Sequence, residues 1–127
     1  MKSSRSLVLM VLFAAVLVFL LGGHIDITYT DSGFILHGGK EPFSVSFTEI
    51  TDRYWYDGDF EPGEAVSAKG RLGFLAGTYE GGSIDGAYQL YLDRNYEGDV
   101  LIVETAENTL VIGSERVDLQ GLYERLQ

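Results

Sequence analysis

Leu7–Leu21 is an unbroken apolar run, LVLMVLFAAVLVFLL, and Gly22 and Gly23 carry the uncharged stretch to His24. Such a run constrains the fold more than anything else in the chain. A helix apolar all round needs an apolar surrounding, and a domain of about 100 residues has too little core to wrap one. The 17 residues from Leu7 to Gly23 reach about 25 Å as a helix, slightly short of the roughly 30 Å hydrocarbon layer. That length suits a signal-peptide core or a short membrane-spanning helix. A cleaved signal needs small residues at −3 and −1. Cleavage after Gly22 or Gly23 would place Leu20 or Leu21 at −3, which favours an uncleaved signal anchor over residues 1–23. Lys2 and Arg5 precede the run, so the expected orientation puts the N-terminus in the cytoplasm and residues 24–127 outside it.

The remainder carries 7 basic against 19 acidic residues, a formal −12. A surface this acidic repels phosphate backbones and anionic headgroups, which excludes nucleic acid as an expected partner. Only three lysines occur against six arginines, a balance that fits a high-salt surface and an ordinary acidic one alike. With no cysteine there is no disulfide framework and no thiolate metal site.

After the anchor the pattern is of short strands and turns. Alternation predicts strands over His24–Thr30, Phe34–His37, Phe43–Thr48, Asp52–Tyr56 and Ala87–Asp93. Val100–Thr105 is apolar on both faces, as a central strand would be, and Asn108–Gly113 is the last strand. Asp31-Ser32-Gly33 is a hairpin turn signal. Residues 57–83 are glycine-rich and acidic, with Phe74–Tyr79 their one strand candidate, and read as an insertion. Ser114 is the expected N-cap of a closing helix whose stripe is Leu119, Leu122, Tyr123 and Leu126.

Seven strands followed by one amphipathic helix resemble the order of a pleckstrin-homology domain. The run Ile27–Phe34, then Phe43–Ile50, is similar to the opening of bacterial and archaeal membrane-associated pleckstrin-homology-like domains. Gly70-Arg71-Leu72-Gly73-Phe74 and Gly77-Thr78-Tyr79 resemble that family's middle insertion, and Tyr88–Tyr91, Leu101–Thr105 and Leu122–Leu126 its last strands and helix. The resemblance implies a seven-stranded bent sheet or partly open barrel capped by a C-terminal helix. It departs at the first hairpin, where phosphoinositide-binding members carry basic residues and this chain has Asp31-Ser32-Gly33. Inositol-phosphate binding is therefore not expected.

Candidate sites are few. Trp55, with Arg53 on the same face, suits a protein contact if Tyr54 and Tyr56 face the core. The plainer alternative is that the insertion covers Trp55. Arg71, in its glycine-rich surroundings, is the best cation for an anionic partner, although the spacing matches no phosphate-binding loop. Asp57, Asp59, Glu61 and Glu64 are the weak candidate for a calcium site. Pro62 stands where a calcium loop needs glycine and Ala68 where it needs glutamate, so a solvated acidic loop is the preferred reading. His24 and His37 lack the company of further ligands, and no G-x-S-x-G occurs. No cofactor and no enzyme activity are expected. The functional expectation is a membrane-anchored binding or scaffold domain contacting a protein or peptide, at an open strand edge or at the Trp55 face. The alternative is an extracytoplasmic β-barrel holding a small apolar ligand.

Overall fold

The computed structural model describes residues 24–71 and 73–126, with residues 68–71 described as backbone. The anchor predicted over residues 1–23 lies outside the described residues. The described chain is mainly β, closed by one C-terminal α-helix.

Strands β1 (Asp26–Tyr29), β2 (Gly33–His37) and β3 (Phe43–Ser46) form an antiparallel three-stranded sheet in that order. A 3-10 turn, Phe47–Glu49, leads into the second sheet. That sheet holds β4 (Ile50–Trp55), β5 (Pro62–Arg71), β6 (Phe74–Gly82), β7 (Ala87–Asp93), β8 (Leu101–Thr105) and β9 (Thr109–Gly113). Their spatial order is β4-β8-β9-β7-β6-β5, with β7 and β9 parallel and every other pair antiparallel. Among the described residues there are thus nine strands in two sheets, where the resemblance implies seven in one bent sheet or partly open barrel.

The first turn matches the Asp31-Ser32-Gly33 signal, for a different reason. Gly33 does not adopt a positive φ. A Cβ there would overlap the Val45 carbonyl of β3, so glycine serves close strand approach rather than backbone handedness. Thr30 closes the turn, its Oγ1 accepting from Gly33 N at 3.0 Å.

Phe34, Leu36 and Val45 of the three-stranded sheet pack on Phe74, Ala76, Tyr91, Leu101, Val103, Leu110 and Ile112 of the larger one. The helix α1 (Leu119–Arg125) completes this core with Leu119, Leu122 and Leu126. The predicted stripe is buried as expected, but the helix begins later. Asp118 is the N-cap, accepting from Gly121 N at 3.1 Å. Ser114 is buried and instead accepts from Arg116 N, within the turn before it.

The opposite face of the large sheet is apolar too. Tyr79, Tyr88, Leu90, Val100, Ile102 and Val111 are buried there beneath Tyr56, Phe60, Ile84 and Tyr96. Coverage on both faces explains why Leu101–Val103 of β8 and Leu110–Ile112 of β9 are apolar on both faces.

The glycine-rich insertion is a long hairpin, β5–β6, where the sequence offers only a fragment of one strand. Its base is tied by Glu61 N donating to Ser83 Oγ at 2.7 Å and Ser83 N to Glu61 O at 2.9 Å. The buried Tyr88 hydroxyl accepts from Gly63 N at 3.0 Å and donates to Gly81 O at 2.9 Å. Glu64, Ala65, Val66 and Ser67 of this outermost strand are all exposed, with Lys40 Nζ donating to Ser67 Oγ at 3.3 Å, so they show no hydrophobic alternation to read.

Tyr91 carries a testable consequence of this packing. Its side chain is buried in the first core, and burial pushes its pKa up to about 12 from the usual 10. Below pH 10 the ring is neutral both folded and unfolded. Above that the unfolded chain ionises first, so stability falls as pH rises from 10 towards 12. Denaturant midpoints across this range should drop, and Tyr91→Phe should flatten part of the slope. An unchanged slope in that variant would contradict the assignment. Tyr29, Tyr54, Tyr79 and Tyr96, also raised chiefly by burial, act in the same sense.

Candidate interaction surfaces

Strand β4 is turned over relative to the sequence expectation. A ladder irregularity between Ile50 and Asp52 precedes the aromatic triplet. Tyr54 then points to solvent, 39% exposed, with its hydroxyl 3.3 Å from Glu104 Oε1. Tyr56 joins the second aromatic cluster, edge-on to Phe60 at 5.4 Å. Trp55 faces the helix and stacks on Tyr123 at 5.5 Å. Arg53 lies on the same face. Its Nε donates to the Tyr123 carbonyl at 2.8 Å, and its guanidinium sits 4.2 Å from the Tyr123 ring centroid.

Arg53 and Trp55 are therefore together, as predicted, but they face inward. What covers Trp55 is the closing helix and not the insertion. An arginine that both hydrogen-bonds a terminal helix carbonyl and meets an aromatic face clamps that helix. Arg125 adds a second clamp, 4.1 Å from the Tyr29 ring centroid. Neither was legible as a pair, because the partners lie about 70 and 100 residues apart in sequence.

Asp57, Asp59 and Glu61 of the acidic loop and Glu64 at the start of β5 are all exposed. Among the described residues no three histidine or carboxylate groups gather as a metal site. Phe60, between these acids, supplies the loop's anchor by packing edge-on to Tyr88 at 5.9 Å. His37 Nε2 lies 3.0 Å from Thr28 Oγ1 across the first hairpin, a cross-strand contact. Arg71 is the last residue of β5, paired with Phe74; its side chain lies outside the described residues.

Surface grooves border both clusters. One, of about 510 Å³, runs beside the helix start and is lined by Trp55, Tyr96, Val117 and Leu119. The other, of about 390 Å³, opens beside Phe60 over Leu75, Leu92 and Val100. Among the described residues every buried side-chain polar atom has a hydrogen-bond partner, so neither groove holds an orphaned group aimed at a ligand.

The outer edge of β5 is different. Among the described residues this ten-residue strand pairs only with β6, and Glu64, Ala65, Val66 and Ser67 are exposed. Val66 is 60% exposed. Sheet edges usually carry charge or cover against unwanted pairing, whereas Ala65–Ala68 is uncharged. Comparison with protein families, with curated proteins and with solved structures finds no match for this chain.

Proposed function

We propose that the chain is a membrane-anchored, non-enzymatic binding or scaffold domain, pleckstrin-homology-like in plan, that takes a protein segment as an added strand on β5. The observation that carries this reading is the edge of β5 that pairs with no described strand, uncharged from Ala65 to Ala68 and with Val66 exposed at its centre. Strand addition draws affinity from main-chain hydrogen bonds and specificity from alternate side chains. The Trp55 face, the other candidate, is already occupied by Tyr123. Leu7–Leu21 with Lys2 and Arg5 before it supports the anchor and an extracytoplasmic domain. The helix closing one side of the β-structure is the feature that supports the pleckstrin-homology plan.

The test is photo-cross-linking of the full chain in its native membrane. A benzophenone amino acid at Val66 should give a discrete protein adduct, and the same group at Glu107, in the exposed β8–β9 turn, should not. Equal labelling at both positions, or none at Val66, overturns the proposal.

A further inference from the structure

We infer that the strand β5 receives is the β5 strand of a second copy of this chain, in an antiparallel twofold pair; this rests on the strand-addition reading and names its partner. The strand reads Pro62-Gly63-Glu64-Ala65-Val66-Ser67-Ala68-Lys69-Gly70-Arg71. Its acid lies in the first half and its two bases in the second, around a small uncharged centre. Turned antiparallel about a point between Val66 and Ser67, it is complementary to itself. Glu64 then opposes the partner's Lys69, Ala65 the partner's Ala68, and Gly63 the partner's Gly70.

Charge makes this pairing selective. Two domains of −12 each repel at most approaches. Of the nine described strands, β5 is the only one with a net positive charge. It holds two of the seven basic residues that follow the anchor. Within its own hairpin Glu64 stands directly opposite Glu80, and like charges so placed destabilise a ladder. The partner's Lys69, on the free side of Glu64, offsets that repulsion.

The backbone supplies the register. A twofold axis normal to a sheet keeps each face on its own side, so paired residues must share a face. Glu64 and Lys69 are five apart, which in a regular strand puts them on opposite faces. The ladder between β5 and β6 shifts by one residue between Ala65 and Ser67. Glu64, Ser67 and Lys69 therefore align with Glu80, Thr78 and Ala76, alternate positions on one face of β6. The bulge that would blunt an ordinary edge here gives positions 64 and 69 the same register parity on β6, with the exposed Val66 at the axis. One strand pair is small beside the roughly 1,200–2,000 Å² of a standard interface. Confinement of both copies to one membrane raises their effective concentration to compensate.

The chain lacks cysteine, so introduced thiols report cleanly. Two differently tagged full-length chains, A65C and A68C, are co-expressed in membranes and oxidised. Directly opposed strand residues lie about 4.5–5.5 Å apart between Cα atoms, within disulfide reach. The mixed A65C–A68C dimer should dominate over A65C–A65C. Adding K69E to both chains should lower its yield about tenfold, and the swap E64K with K69E should restore it, which separates loss of pairing from loss of fold. Equal trapping of all combinations means random collision and overturns the inference, as does failure of the swap to rescue. A Val66 photo-adduct with a different protein and no mixed dimer leaves strand addition standing and removes the second copy as its occupant. Absence of both adduct and dimer removes both.

Discussion

Replacing Phe34 with alanine is expected to lower the unfolding free energy by about 3–5 kcal/mol, the usual cost of deleting a buried phenylalanine. Phe34 sits on the central strand of the three-stranded sheet, paired with Tyr29 on one side and Val45 on the other. Its ring is buried in the core between the two sheets, 6.4 Å from the ring of Phe47. Among the described residues the three-stranded sheet has no ladder to the larger one, so side-chain packing of this kind must hold it in place. A small domain has only about 5–15 kcal/mol of stability in total. With a urea slope of about 1–3 kcal/mol per molar, the denaturation midpoint should fall by one molar or more. Tyr54→Ala, at an exposed position on β4, is the control. If the two variants shifted the midpoint equally, the sheets would not be packed through Phe34.

Leu122→Ala should be nearly as damaging, at about 2–5 kcal/mol. Leu122 is fully buried at the centre of the C-terminal helix. That helix is seven residues long and contains Gly121, so it does not persist on its own. It stays helical because Leu119, Leu122 and Leu126 dock into the core while Arg53 and Trp55 hold Tyr123 from β4. Glu124→Ala, on the exposed side, should change the midpoint by no more than a few tenths of a kcal/mol. Amide hydrogen exchange in α1 should accelerate in Leu122→Ala before it does in β8. Matching melts for both variants would show an undocked helix.

The residues of the first core were largely readable in advance. Phe34, Val45, Leu119 and Leu122 belong to patterns that alternate or repeat at helical spacing, Leu101 and Val103 to the run apolar on both faces, and all are buried. The interior placement of β8 was readable for a related reason. A strand apolar on both faces must be covered on both, and β8 lies between β4 and β9. The facing of Trp55 was not readable. Tyr54, Trp55 and Tyr56 are all aromatic, so period-two alternation has nothing to distinguish, and the second apolar cluster made both faces acceptable. The helix start was missed because two capping residues, Ser114 and Asp118, lie four apart. Burial of Ser114 in the preceding turn decided between them.

Local pattern by itself determined the β class, the early hairpin turn, the apolar segment at the N-terminus and the stripe of the closing helix. Each follows from the spacing of apolar residues or from a short turn signal, and neither depends on distant neighbours. Tertiary structure alone decided the two-sheet division, the parallel alignment of β7 with β9, the inward turn of Arg53 and Trp55, and the existence of β5. Pairing order is set by which faces find cover, a long-range condition that no local window contains. Strand β5 is the extreme case. Glu64–Ser67 are exposed, the sequence shows no period, and it is a strand because β6 offers a ladder of hydrogen bonds that Pro62–Arg71 can fill.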